Sequence, residues 1–164
     1  MPGRIPTESE VIGYMRSLSN WGRWGKEDQL GTLNLITPEK VAQAASLVRE
    51  GITVTCSRPV MFENAADVTS IPPLHYMIRA GTEAAPSGAS GASDFVGLSF
   101  HGLTITHLDS LSHQFWDGKM YNGFPANLIT AERGATVGSI DQVKHGVVTR
   151  GVLLDITKLR GVDW

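Results

Sequence analysis

The segment His101–His113 reads HGLTITHLDSLSH and holds three of the five histidines of this 164-residue chain. His107 and Asp109 are two positions apart, and in an extended backbone residues i and i+2 project from the same face. An imidazole nitrogen and a carboxylate oxygen can then converge on one point, which is the beginning of a divalent metal site suited to zinc or manganese. His113 can return to the same pocket if the chain bends.

Two interpretations of this pattern remain open. In the first, the His-x-Asp pair binds metal and His113 acts as a general acid/base near neutral pH. In the second, Asp109 only orients a core or surface histidine. The flanks favour the first interpretation. Residues 95–100 read as a buried strand and residues 116–123 as an aromatic loop with turn signals, and a strand, a polar cluster and an aromatic loop in succession are typical of a ligand pocket.

Two helices are predicted in the first third of the chain. Apolar residues recur at helical spacing over residues 8–18. Thr37 is a good N-cap and Pro38 suits the first helical position, so a second helix is expected from about 38 to 50. Gly51 supplies its C-terminal stop. This second helix is interpreted as structural.

Apolar and β-branched runs predict strands at 52–56, 74–80 and 147–156. The last run is apolar on both faces and therefore expects cover on both sides. Residues 81–94 are rich in glycine, alanine and serine, which indicates a flexible loop, more simply a plain insertion than a lid. Helices and strands together indicate an α/β or α+β fold in one domain covering residues 1–164.

Four aromatic residues near these segments are candidates for a substrate wall. Trp21 and Trp24 lie between glycines, in a stretch that makes poor regular structure. Their indoles either pack a loop over the core or form the wall of a substrate pocket. Phe115 and Trp116, directly after the histidine-rich segment, are the other two candidates.

Composition narrows the class of partner. The net charge is −2, so neither nucleic acid nor an anionic membrane is indicated as a partner. Cys56 is the single cysteine, which excludes an internal disulfide framework and favours a reducing, cytoplasmic compartment. Its place in the predicted strand 52–56 suggests a small core residue. We expect no signal peptide and no membrane span.

The sequence resembles a known protein family. Thr106–His113 matches the T-H-x-D-x-x-x-H core of the cyclase family of metal-dependent hydrolases, which includes kynurenine formamidases and isatin hydrolases. Phe100–Gly102 and Gly118–Gly123 look like the flanks of the longer members, and so do Trp24–Gly25 and Asp28–Asn34 near the start. The resemblance covers almost the whole chain, and it corresponds to the N-terminal half of the longer family domains.

The resemblance implies a swivelling β/β/α fold, a small barrel-like arrangement of mixed sheets with flanking helices, here incomplete. It makes His107 and Asp109 metal ligands and His113 the catalytic acid/base beside a metal-activated water. Family members carry another ligand histidine four residues before His107, where this chain has Leu103. His101 is the candidate to replace it.

The expected function is therefore a metal-dependent hydrolase that uses zinc or manganese to open an amide-type C–N bond, other than a peptide bond, in a small cyclic or aryl substrate. The alternative is a truncated or degenerate paralogue that acts as a noncatalytic binding or interaction domain. A nonhydrolytic lyase or cyclising enzyme on the same metal is a third possibility. Because residues 147–156 expect apolar cover, the chain is also expected to form a homo-oligomer, most simply a dimer.

Overall fold

The computed structural model describes residues 4–63, 71–81 and 87–162. The chain divides into two compact units, a larger one of Met1–Gly51 with Asp109–Trp164 and a smaller one of Ile52–Leu108. Two compact units can belong to one domain, so the single domain over residues 1–164 remains a prediction. None of the helices in the described ranges is long and apolar enough to cross a membrane.

The first helix, α1, spans Glu8–Ser17 and confirms the expected helix near the N-terminus. Thr7 and Glu10 form a capping box. The Thr7 hydroxyl accepts from the backbone N–H of Glu10 at 3.4 Å, and the Glu10 carboxylate accepts from the backbone N–H of Thr7 at 2.7 Å. Two backbone donors that helix formation leaves unpaired are thus satisfied.

The second helix, α2, spans Pro38–Ala45. It begins as predicted, because the Thr37 hydroxyl accepts from the backbone N–H of Lys40. It ends well before the expected end near residue 50. The Ser46 hydroxyl donates to the carbonyl oxygen of Gln43 at 2.7 Å, and a serine that bonds the backbone in this way competes with helix continuation.

The smaller unit contains one two-stranded antiparallel sheet, β1 (Leu74–Arg79) with β2 (Ser93–Gly97). β1 confirms the strand predicted at 74–80. β2 lies earlier than the strand expected at 95–100 and is exposed instead of buried, with Phe95 40% exposed. A sheet of two strands leaves both of its faces open to solvent, which explains why β2 is exposed.

In the smaller unit, the strand expected at 52–56 needs correction, and part of the loop expected at 81–94 lies outside the described residues. Residues 52–56 form no strand, because they pair with no neighbouring strand in the described parts of the chain, and Cys56 is exposed where a core residue was expected. Of the predicted flexible loop 81–94, residues 82–86 lie outside the described residues. Its last two residues, Ser93 and Asp94, already belong to β2.

The larger unit adds a short antiparallel pair, β3 (Ile129–Thr130) with β4 (Gly134–Ala135), and a short helix, α3 (Ile156–Arg160). The buried strand predicted at 147–156 is wrong, since the segment joins no sheet of the described residues, Leu153 is 87% exposed and Ile156 already begins α3. An apolar run becomes a strand only where another strand supplies its hydrogen bonds.

The architecture is thus a small mixed α/β arrangement with two two-stranded antiparallel sheets. The described residues form no closed barrel, so the predicted barrel-like arrangement is not built by this part of the chain. Closure needs a continuous ring of hydrogen-bonded strands, and the two runs that promised further strands, 52–56 and 147–156, remain unpaired.

Candidate functional site

Asp109 and His113 lie at the two ends of one tight turn in the larger unit. Leu111–His113 forms a single 3₁₀ turn, closed by the backbone N–H of His113, which donates to the carbonyl oxygen of Ser110 at 3.1 Å. This turn brings Nδ1 of His113 to 2.9 Å from Oδ1 of Asp109. A carboxylate can only accept, so Nδ1 carries the proton and the neutral imidazole has its lone pair on Nε2.

Ser112 anchors this turn from the inside. Its side chain is 0% exposed, and its hydroxyl oxygen lies 2.6 Å from that of Ser110. Its backbone N–H donates to the carbonyl oxygen of Gly138 at 3.2 Å. The hydroxyl and the backbone N–H of Ser112 are therefore both paired, as buried polar groups require.

The other two histidines of the segment lie in the smaller unit and form a ring cluster with Phe100. The His101 ring is 4.4 Å from Phe100 and 5.4 Å from His107, measured between centroids. Nδ1 of His107 lies 2.7 Å from the carbonyl oxygen of Ile105, which again fixes the proton on Nδ1. A second group that orients the ring in this way is typical of metal-binding histidines.

His101 and His107 belong to the smaller unit, whereas Asp109 and His113 belong to the larger one. Imidazole nitrogens and a carboxylate oxygen are ligand types that zinc and manganese accept. Which residues bind metal and which transfer protons stays a prediction.

Two of the four candidate substrate-wall residues come together. Trp21 and Trp116 line one cavity of about 630 Å³ in the larger unit. Tyr14 and Met15 of α1 line the same cavity, as does Leu18, which follows the helix. Its polar lining includes Arg16, Asp117 and Lys119. The volume lies within the usual range of small-molecule sites.

The other two candidates lie elsewhere. The guanidinium of Arg23 stacks over the Trp24 ring at 4.8 Å, and neither residue lines that cavity. Phe115 is exposed and is likewise not among its lining residues. Their part in a substrate wall stays a prediction.

The turn signals at residues 116–123 are confirmed. Trp116 and Lys119 exchange both backbone hydrogen bonds, at 2.8 and 3.0 Å. Asp117 and Gly118 between them have φ angles of 49° and 68°, the two positive values that define a type I′ turn. Asp-Gly is a preferred pair for that turn, and it holds the backbone of Trp116 at the cavity.

Sequence reasoning missed the role of Asp28. Its carboxylate accepts from the Tyr121 hydroxyl at 2.8 Å, from the Asn34 amide at 2.7 Å and from the backbone N–H of Gly31 at 2.9 Å. Burial by itself would raise the pKa of Asp28, but these hydrogen bonds outweigh it and lower the pKa. Burial and the nearby Asp28 carboxylate raise the pKa of Tyr121 to about 12.

Asn122, the next residue, was missed as well. It has a φ of 62°, and its amide nitrogen donates to the carbonyl oxygens of Gly25, Lys26 and Asp28 at 2.9–3.1 Å. Its amide oxygen accepts from the backbone N–H of Gly22 at 2.7 Å. The sequence did hold a signal for these two residues, because the runs that contain Asp28 and Tyr121 carry part of the family resemblance. A single sequence does not show that these runs pair across about ninety positions.

One comparison with solved structures bears on this site. The chain is similar to the crystal structure of a protein described as a novel cyclase, with a TM-score of 0.78, 34% sequence identity and 90% of this chain covered. The chain spans about half of that protein, 52% of its length. No family model and no curated protein matches this chain. The similarity indicates that this chain shares the fold of part of that protein.

Proposed function

We propose that this chain belongs to the cyclase family of metal-dependent hydrolases. The particular function proposed is the opening of an amide-type C–N bond in a small cyclic or aryl substrate. One observation carries the proposal, the pairing of Asp109 with His113 across a single turn at 2.9 Å. The similarity to a cyclase structure at 34% identity supports it, as does the spacing of the Thr106–His113 motif.

Metal binding is assigned to His107, Asp109 and His101, with zinc or manganese as the metal. A bound divalent cation supplies Lewis acidity toward the substrate carbonyl and lowers the pKa of water. A carboxylate has two oxygens, so Asp109 can hold Nδ1 of His113 through Oδ1 and a cation through Oδ2. The Thr106–His113 motif and the family resemblance that it carries support His107 and Asp109 as members of this donor set.

His113 is assigned the proton transfers. Its Nε2 takes a proton from the attacking water as the C–O bond forms, and returns it to the leaving nitrogen as the C–N bond breaks. The products are an amine and a carboxylic acid, and the acid releases its remaining proton at neutral pH to leave the carboxylate. Asp109 holds the ring in the required tautomer and stabilises the imidazolium that forms between the two steps.

The substrate is proposed to bind against indole rings. The cavity lined by Trp21 and Trp116 offers two aromatic surfaces to an aryl group, and Arg16 and Lys119 on its edge suit a substrate or product carboxylate. Trp24 and Phe115 remain proposed members of the wall.

The test is hydrolysis of two probes, N-formylkynurenine and isatin, by the chain supplied with zinc or with manganese. We expect turnover of at least one probe, abolished by chelation and restored by metal. Titration calorimetry with each metal in parallel shows whether the site binds at all. Metal binding without turnover of either probe would contradict the hydrolase assignment, and absence of metal binding would contradict the whole proposal.

The second candidate is a noncatalytic binding or interaction domain of the same family. The observation that favours it is Leu103, which stands where formamidase-like members of the family carry a ligand histidine. Such a domain could retain metal but would turn over neither probe, even at high protein concentration. The calorimetry and the hydrolysis assay together therefore separate the two candidates.

A further inference from the structure

The turn that carries His113 is joined to a distant part of the chain through Gly138. The backbone N–H of Gly138 donates to Oε1 of Gln29 at 2.8 Å, across 109 positions of sequence. The carbonyl oxygen of the same glycine accepts from the backbone N–H of Ser112 at 3.2 Å. One buried glycine thus connects a glutamine side chain to the residue next to His113.

The approach of Gly138 to this turn is close. Gly138 has a φ of 61°, and a Cβ added to it would lie 3.5 Å from the backbone nitrogen of Ser112. Any side chain at this position would be strained by the backbone conformation, and its Cβ would already be in van der Waals contact with the turn. The glycine is therefore suited to lie against the turn and to transmit the position of Gln29 to it.

The loop that carries Gln29 touches the same turn a second time. A Cβ added to Gly31 would lie 3.3 Å from Cδ1 of Leu111. Asp28, on the other side of Gln29, is held by Tyr121 and Asn34. Gln29 therefore projects from a fixed loop, and its side chain is half-buried.

We infer that Gln29 is a positioning residue for His113. Its amide oxygen fixes Gly138, Gly138 fixes Ser112, and Ser112 fixes the turn whose geometry sets the 2.9 Å contact between His113 and Asp109. A small displacement of a proton-transfer group lowers turnover more than substrate affinity, because alignment matters in the reacting complex. The catalytic meaning of this inference rests on the proposed function, whereas the hydrogen-bond chain itself does not.

The test uses Gln29→Met, which keeps the length of the side chain but removes its amide oxygen, and Gln29→Glu, which keeps an oxygen acceptor. Gln43→Ala, on the exposed face of α2, is the matched control. Amide hydrogen exchange by NMR is followed at Ser112 and His113, with Val11 of α1 as an internal reference. Turnover of N-formylkynurenine by the zinc-loaded chain is measured in parallel.

With Gln29→Met we expect exchange at Ser112 and His113 to accelerate about 3- to 10-fold, the effect of one lost hydrogen bond, with Val11 unchanged. The value of kcat falls by a similar factor while KM and zinc content stay the same. Gln29→Glu restores most of both, and Gln43→Ala changes neither.

The outcomes separate this inference from the proposed function. If exchange accelerates as expected but the unmodified chain turns over no probe, the proposed function fails and the hydrogen-bond chain stands. If the unmodified chain is active and Gln29→Met leaves exchange at Ser112 and kcat unchanged, the positioning role is wrong. An equal fall in kcat for Gln43→Ala would also overturn it, since the effect would then be unspecific.

Discussion

Nδ1 of His113 lies 2.9 Å from Oδ1 of Asp109, and the two residues are separated by a single 3₁₀ turn. The carboxylate that orients the imidazole is therefore supplied from the same short motif. The buried Ser112 and the contact of its N–H with Gly138 hold this turn in place.

Removal of the His-x-Asp pair should remove metal. We expect the double variant His107→Ala with Asp109→Ala to lose the zinc or manganese that the unmodified chain binds, because two of the three proposed ligands disappear. His145→Ala, outside the segment, is the control and should bind as before. Elemental analysis after dialysis measures the content. Equal metal in the unmodified chain and the double variant would contradict the proposed ligands.

His113→Asn should separate proton transfer from metal binding. The amide cannot accept and return a proton, so we expect turnover of the probes to fall by about 10² to 10⁴. Metal content should remain that of the unmodified chain. If metal is lost together with activity, His113 is a ligand and its assigned role is wrong.

Asp28→Asn should destabilise the larger unit. The carboxylate accepts from Tyr121, Asn34 and Gly31, and an amide cannot satisfy all three donors. We expect a loss of about 1–3 kcal/mol in the free energy of unfolding, measured by urea denaturation. Tyr121→Phe, which removes one of the three bonds, should lose about 0.5–1.5 kcal/mol. A smaller effect for Asp28→Asn than for Tyr121→Phe would contradict the central place of Asp28.

Asp28 and Tyr121 are expected to affect the pH dependence of stability in opposite directions. Because folding lowers the pKa of Asp28, its contribution to stability is present above its ordinary pKa of 3.8 and is lost as the pH falls through the lower folded value. Folding raises the pKa of Tyr121 to about 12, so its contribution is present below the ordinary value of 10.0 and is lost as the pH rises toward 12. Urea denaturation across the pH range measures both contributions, with Asp28→Asn and Tyr121→Phe as references. A difference in the free energy of unfolding between the unmodified chain and each variant that does not change with pH would refute this linkage.

Asn122 combines a strained backbone with four hydrogen bonds, and two variants separate these parts. Asn122→Gly keeps the φ of 62° without strain but removes the side-chain bonds to Gly25, Lys26, Asp28 and Gly22. Asn122→Ala also removes these side-chain bonds, and its Cβ is strained at this φ. It should therefore be the less stable of the two variants by about 1 kcal/mol. Thermal unfolding of the two variants gives the order, and the reverse order would show that backbone conformation is unimportant here.

The proposed homo-oligomer rests on exposed apolar side chains near the end of the larger unit. Val152 is 72% and Leu153 87% exposed, an arrangement that proteins usually cover by association. We expect a dimer by light scattering at micromolar concentration and a monomer after Leu153→Glu. Lys158→Glu on α3 is the control for an added negative charge. A monomeric unmodified chain would contradict the proposal.

Elements governed by local chemistry could be predicted from the sequence. The N-terminal ends of α1 and α2 follow from the hydroxyls of Thr7 and Thr37, and the type I′ turn follows from Asp117 and Gly118. The strand β1 was also expected. For the helix starts and the turn, the residues that decide the conformation lie within a few positions of one another.

The closeness of Asp109 and His113 was partly predictable. Their motif spacing, read through the family resemblance, placed both at one site with His107. The 3₁₀ turn that brings them to 2.9 Å was not foreseen, nor was the burial of Ser112. The backbone N–H of Ser112 donates to the carbonyl oxygen of Gly138, a partner from another part of the chain that no local pattern predicts.

By itself, the sequence determined the helix starts, the tight turn and the residue types of the candidate site, because capping, glycine conformation and motif spacing are local properties. Tertiary structure alone decided that the apolar runs 52–56 and 147–156 do not become strands, since a strand requires a partner for its backbone hydrogen bonds. It also decided which distant groups meet. Tyr121 reaches Asp28 across 93 positions and Gly138 reaches Gln29 across 109, and such pairings depend on packing that no local pattern encodes.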